Sequence, residues 1–210
     1  MKEFVRFLLR GKQLEIDWKI AILTIASTLL IIADYYFNFT AGNYLDSIVL
    51  YIVIPVGITV FIFKESPKSY GLRIGDWKAG LLITVIGILL MAPVLWYLGT
   101  HQDAMQRYYH IQPSGLIWKK GLEMLGWEYL FRGWLLFGYA RKYGPDALWL
   151  QAVPFAIAHL GKPAVETFST IFGGFVFGWV AWRTKSFLYP FIIHWFVGTF
   201  VILIASGAWG

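Results

Sequence analysis

Apolar runs of transmembrane length, separated by short polar turns, dominate this chain. They fall at about residues 18–37, 47–63, 79–98, 121–140, 147–160, 164–182 and 186–205. A helix needs about 20 mostly apolar residues to cross a bilayer, so the pattern predicts about seven spans. An eighth crossing arises if residues 99–114 or the Gly161-Lys162-Pro163 break re-enter the membrane. Ahead of the first run, Phe4, Val5, Leu8 and Leu9 form an apolar stripe between Lys2, Arg6, Arg10 and Lys12. That is the pattern of an interfacial amphipathic helix. The expected fold class is all-α: a polytopic transmembrane helix bundle of about seven to eight spans plus the N-terminal helix, one integral membrane domain over residues 1–210.

The turns and breaks refine this reading. Pro55 predicts a kink in the second span. Ser66-Pro67 and Gly71 mark a tight turn in the polar loop 64–78. Residues 99–114 read as a loop with a short surface helix, where His101 and His110 are expected to be solvated. Asp34 falls near the end of the first span and is expected to be structural. Gly174-x-x-x-Gly178 has the small-residue spacing that lets membrane helices pack closely.

Composition supports the membrane assignment. Of 210 residues, 58% are hydrophobic and only 14% charged, and the 19% aromatic content suits interfacial belts. There is no cysteine, which rules out disulfides, a thiolate nucleophile and Cys-ligated metal. The net charge of +6 is read as basic cytoplasmic loops rather than a nucleic-acid surface. The first apolar run is long and lacks a small-residue cleavage site, so no cleavable signal peptide is expected. Basic residues concentrate in the N-terminus, the 64–78 loop, the Arg141-Lys142 turn and the Arg183–Lys185 turn. Seven spans place all four on one side. The positive-inside rule then puts the N-terminus in the cytoplasm.

One run departs from the apolar pattern. Glu128 and Arg132 lie inside the fourth span at i,i+4 spacing, neighbours on one helix face. Each such charge costs about 2.5–3.5 kcal/mol at mid-membrane, and intramembrane ionisable residues are functional candidates by default. Counting about 1.5 Å per residue from each cytoplasmic turn puts Glu128 roughly 18 Å deep, Arg132 roughly 12 Å, His159 roughly 20 Å and His194 roughly 14 Å. Side chains from three helices therefore share a layer roughly 8 Å thick. Glu166 lies farther out, at roughly 25 Å, just after the Pro163 break.

Three chemistries fit this layer. Glu128, His159 and His194 are a candidate His2Glu set for a divalent metal such as zinc, leaving a position for water. Alternatively, a glutamate activates water as general base while the imidazoles stabilise an oxyanion. A proton or ion relay uses the same residue types.

The residues Glu128-Tyr-Leu-Phe-Arg132-Gly133, then Phe155-x-x-x-His159, then His194 resemble the CPBP intramembrane proteases: the CAAX prenyl proteases and their bacteriocin-processing (Abi) relatives. The resemblance covers residues 116–200, and the Tyr70-Gly71-Leu72 turn is similar as well. The family signature is Glu-Glu-x-x-x-Arg, Phe-x-x-x-His and His-x-x-x-Asn or Asp. It implies an endopeptidase in a bacterial cytoplasmic membrane. The implied partners are the lipid bilayer and a membrane-associated or prenylated protein or peptide substrate, with no nucleic acid. The chain departs from the signature twice: Trp127 stands at the first Glu and Gly198 at the Asn. In the family the first Glu activates water and the Asn assists at the oxyanion. Glu128 taking the base role, Glu166 supplying a substitute carboxylate, and an inactive relative acting as a membrane scaffold or chaperone all stay open. Catalytic candidates are Glu128, His159, His194, Arg132 and Glu166.

The orientation is directly testable, because any introduced cysteine is the only one in the chain. An Arg141→Cys variant is expected to react with a membrane-impermeant thiol reagent only from the cytoplasmic side. Labelling from outside contradicts the orientation.

Overall fold

A computed structural model describes residues 3, 15–40, 42–111 and 114–208. The amphipathic helix expected at the N-terminus lies outside the described residues, apart from its last positions. All regular elements described are helical. Helix α1 spans Trp18–Tyr36 and starts where the Asp17 carboxylate accepts hydrogen bonds from the amides of Lys19 and Ile20. Helix α2 spans Asn43–Ile62. The sequence predicts a kink at Pro55; the helix is continuous through the proline, with π-helical stretches at Val49–Val53 and Ile58–Ile62 on either side of it. Wider turns of this kind absorb the missing proline N–H and its ring.

Helix α3 is Trp77–His101, and α4 is the short Asp103–Tyr108 expected in the polar loop. His101 and His110 are exposed there. Helix α5 covers residues 116–143, regular over Leu116–Glu128, π-helical over Tyr129–Leu135 and regular again over Leu136–Tyr143. Helices α6, α7 and α8 are Ala147–Ile157, Ala164–Thr184 and Leu188–Ala205.

Five of these, α1, α2, α3, α7 and α8, are long and apolar enough to cross a membrane. That is fewer than the seven to eight spans expected. Two runs make the difference. Helix α5 is long enough, but Glu123, Glu128 and Arg132 interrupt its apolar character. Helix α6 has 11 residues and reaches about 16 Å, half the roughly 30 Å hydrocarbon thickness. Its apolar run extends to Leu160, but the chain leaves the helix after Ile157 and turns at Gly161 with φ +90°.

Helix α5 is the hub. Glu128, Tyr129, Leu130, Phe131, Arg132, Trp134, Leu135 and Leu136 are all wholly buried. A helix buried on every side belongs to the core of a bundle. Small residues allow the close approach. A Cβ on Gly126 would lie 2.4 Å from the Ser47 carbonyl oxygen of α2, and one on Gly133 2.9 Å from that of Tyr70. The Gly174-x-x-x-Gly178 spacing serves packing as expected: a Cβ at Gly174 would come within 2.9 Å of Ala152 on α6. Outward-facing side chains such as Phe61, Leu89 and Phe168 are apolar and exposed, as a lipid-facing surface requires.

The basic turns gather at one end of the bundle. Arg183 pairs with Asp76 at 2.8 Å, and Arg73 donates to the Lys185 carbonyl at 2.8 Å. Glu65 accepts from Lys19 at 2.5 Å, from the Tyr70 hydroxyl at 2.9 Å, and from Arg141. It ties α1, the 64–76 loop and the end of α5 together. Partial burial raises the Glu65 pKa, but its hydrogen bonds to Lys19, Arg141 and Tyr70 outweigh that and bring it down to about 2. A depressed carboxylate pKa stabilises the fold above the unfolded value, and that stability is lost as pH falls through the folded value. Thermal stability in detergent is expected to fall between pH 4.5 and about 2 more steeply in the wild type than in Glu65→Gln. Parallel acid profiles contradict the role given to Glu65.

Candidate active site

The π-helical stretch of α5 begins one residue after Glu128 and contains Arg132. Such stretches are frequent at functional sites. The i,i+4 pair forms as the spacing requires: Arg132 Nη1 donates to Glu128 Oε1 at 2.9 Å, and neither side chain is exposed at all. His194, in the second turn of α8, brings Nδ1 to the same Oε1 at 2.6 Å. His159 lies in the turn after α6, where Nδ1 meets the Phe155 carbonyl at 2.8 Å. Thr167 of α7 donates to the His159 carbonyl at 2.9 Å and fastens that turn. The two imidazole rings are near-parallel at 23°, their centroids 6.4 Å apart.

Aromatic side chains wall the cluster. The Arg132 guanidinium lies 3.8 Å from the Phe155 ring centre and 5.2 Å from that of Phe177. Phe155 also touches both histidines, at 4.4 Å and 5.7 Å between ring centroids. A cation over an aromatic face gains about 2 kcal/mol or more when desolvated. That offsets part of the cost of burying Arg132. The phenylalanine of the Phe-x-x-x-His motif therefore has a definite place, as the floor under the guanidinium.

The hydrogen bonds fix proton positions. The Glu128 carboxylate and the Phe155 carbonyl can only accept, so Nδ1 of each histidine is the donor. Both rings, when neutral, then offer a lone pair at Nε2. Several polar atoms keep unused capacity: Glu128 Oε2 and Arg132 Nε and Nη2 are buried without a hydrogen-bond partner among the described residues.

Of the sequence candidates, Glu128, Arg132 and His194 are hydrogen-bonded together and His159 stacks beside them. Glu166 is not part of this cluster. It sits in the first turn of α7, its two oxygens taken by Lys162 at 2.7 Å and the Tyr109 hydroxyl at 2.7 Å. Of the His2Glu set expected for a metal, Glu128 and His194 share a hydrogen bond, and His159 bonds its own backbone. Among the described residues no three His, Cys, Asp or Glu side chains form a metal-holding group. Glu128 Oε1 is already shared by Arg132 and His194.

The two departures from the family signature are filled by other side chains. The Trp127 ring stands edge-on to His159 at 5.4 Å and also contacts Tyr51 and Phe155. Opposite Gly198, the stem of Lys120 lies 3.3 Å from where a Cβ would be, and its Nζ donates to Glu123 at 2.6 Å. Sequence reasoning missed Phe177 and the Lys120–Glu123 pair. Phe177 sits on an α7 face that nothing in the local pattern marks. Glu123 was visible as a third charge in the fourth span.

A protein-family model described as Rce1-like, type II CAAX prenyl endopeptidase, matches residues 122–200. That segment contains Glu128, Arg132, His159, Glu166 and His194, and agrees with the family the motifs resemble. No curated protein and no solved structure matches the chain.

An Arg132→Ala variant leaves Glu128 buried beside only a neutral imidazole. Breaking a buried pair costs about 3–5 kcal/mol. The variant is expected to accumulate poorly and melt well below the wild type in detergent. An unchanged melting temperature contradicts a dry, paired Glu128.

Proposed function

Starting from the Rce1-like match, which at family level means a CAAX-type intramembrane protease, we propose that this chain is an intramembrane endopeptidase. It hydrolyses a peptide bond of a membrane-associated or prenylated protein or peptide, in a bacterial cytoplasmic membrane with the basic end of the bundle on the cytoplasmic side. The observation that carries this reading is the buried Glu128–His194 hydrogen bond next to a second imidazole. A carboxylate on one imidazole nitrogen orients the ring and makes the other nitrogen an effective base, as in the Ser-His-Asp arrangement.

Water, not a side chain, is the nucleophile: the chain has no cysteine, and the Thr167 hydroxyl beside His159 donates to backbone carbonyls. His194 Nε2 takes one proton from the water. The resulting hydroxide adds to the scissile carbonyl carbon and its π electrons move onto oxygen. The unpartnered Arg132 N–H groups supply donors for that oxyanion in a low-dielectric site. Collapse of the tetrahedral species breaks the C–N bond, and the proton held by His194 passes to the leaving amine. His159 Nε2 accepts a hydrogen bond from the other O–H of the water and positions it; that hydrogen stays on the attacking oxygen. Glu128 is here the orienting carboxylate, matching the second Glu of the signature. Each of these steps uses the chain's own side chains and one water molecule.

A second reading has its own support. Trp127 puts an indole against His159 where the signature carries a carboxylate. That favours an inactive relative serving as a membrane scaffold or chaperone.

The experiment is cleavage of a membrane-inserted peptide library by the purified protein and its variants. His194→Ala and His159→Ala are expected to lose at least 10²–10³ in rate while remaining folded, the typical cost of one essential group. Glu128→Gln is expected to fall comparably, and Glu166→Gln to retain activity. Death of Glu166→Gln with survival of Glu128→Gln reverses the assignment. A biological effect that survives all four substitutions establishes the scaffold reading.

A further inference from the structure

At the basic end, a cleft of about 210 Å³ opens between the start of α1 and the end of α5. It is lined by Asp17, Lys19, Ile20, Leu23, Tyr70, Gly138, Arg141 and Lys142. It is separate from the Glu128 cluster, and none of its residues takes part in the proposed hydrolysis. The volume is below the roughly 300–1,000 Å³ of drug-sized ligand pockets and suits a small polar headgroup.

The charges around it do not cancel. Lys19, Arg141 and Lys142 face two carboxylates, Asp17 in the lining and Glu65 just behind it. Among these described residues one positive charge is left over. Glu65 engages Lys19 and Arg141, and the Arg141 guanidinium also lies over the Tyr70 ring at 4.4 Å. Lys142 is the loosely held cation: its nearest carboxylate, Asp17, is 3.8 Å away and its side chain is 42% exposed. Asp17 is committed to capping α1.

The surroundings are those of a membrane interface. The cleft lies where the apolar span of α1 begins, beside Ile16 and Trp18, both more than half exposed. Ile20 and Leu23 give its inner wall an apolar surface, and farther along α1 the exposed side chains Ile25 and Leu29 are apolar as well. A ligand with a single negative charge at the cations and acyl chains running down α1 matches both halves. We propose that this cleft is a binding site for the phosphodiester headgroup of an anionic phospholipid such as phosphatidylglycerol. Basic pockets between membrane helices on the cytoplasmic side recognise such headgroups by these contacts. Its role is to fix α1 to the end of α5, where Gly138 packs on Leu23.

The test is native mass spectrometry of the detergent-purified chain, titrated with phosphatidylglycerol or phosphatidylcholine of the same acyl chains. Wild type is expected to retain phosphatidylglycerol preferentially. Lys142→Gln is expected to lose about fivefold of that preference, the contribution of one cation near an anionic surface. Lys78→Gln, which removes a cation of the same end outside the cleft, is expected to lose none. Arg141→Gln is a second probe of the site, with Lys142→Gln decisive because the ion pair of Lys142 with Asp17, at 3.8 Å, is the longest of those around the cleft. Equal retention of the two lipids overturns the proposal, as does an equal loss in Lys142→Gln and Lys78→Gln. Inorganic phosphate at millimolar concentration serves as competitor. Its failure to displace the lipid supports a lipid ligand, whereas displacement at equal occupancy makes the occupant free phosphate and overturns the lipid assignment.

Discussion

Everything in this bundle accommodates one expensive object, a carboxylate–guanidinium pair shut off from every surface. Glu128 has no exposed surface, and its neutralising partner Arg132 has none either. An uncompensated charge buried in a membrane protein is hard to keep. The surrounding structure supplies the compensation. Arg132 sits one turn away, His194 donates from another helix, and Phe155 and Phe177 present their rings to the guanidinium. Helix α5, which carries the pair, is correspondingly enclosed by the other elements rather than left facing lipid. Pairs of this kind add little net stability compared with an apolar replacement, so their presence is better explained by chemistry than by folding.

The same constraint determines the proton arrangement. A carboxylate that cannot reach water orients whatever donor reaches it, and here that donor is His194 Nδ1. The lone pair at Nε2 then follows from hydrogen-bond geometry alone. The Phe155 carbonyl does the same for His159 with a backbone acceptor. The proposed chemistry thus assigns the imidazoles as acceptors toward water. The same proposed chemistry takes the oxyanion donors from Arg132, while the space opposite Gly198 is filled by the stem of Lys120.

Much of this was legible in the chain because helix rise converts sequence position to depth. The i,i+4 spacing of Glu128 and Arg132 gave their contact, and counting from the basic turns placed both histidines in the same layer. Depth does not give rotation about the helix axis, so it could not say that His194 meets the carboxylate while His159 turns to its own backbone. Hydropathy also misread residues 147–160. Pro154 and the apolar residues up to Leu160 keep the run continuous, although the helix stops at Ile157. Glu166 was ambiguous for a related reason: its partner Tyr109 comes from the segment after α4, whose position no periodicity marks. Trp127 was visible as a departure, but its packing on His159 depends on where the α6 turn ends.

The central claim is that Glu128 and His194 form a water-excluded dyad with the imidazole lone pair at Nε2. The most direct measurement is the nitrogen-15 NMR spectrum of the chain labelled in its histidine rings, with His194 assigned by its loss in a His194→Ala variant. The account predicts a neutral ring with Nδ1 protonated and Nε2 bare, and loss of that fixed tautomer in Glu128→Gln. A His194 protonated at Nε2 alone, or one indifferent to Glu128→Gln, contradicts it.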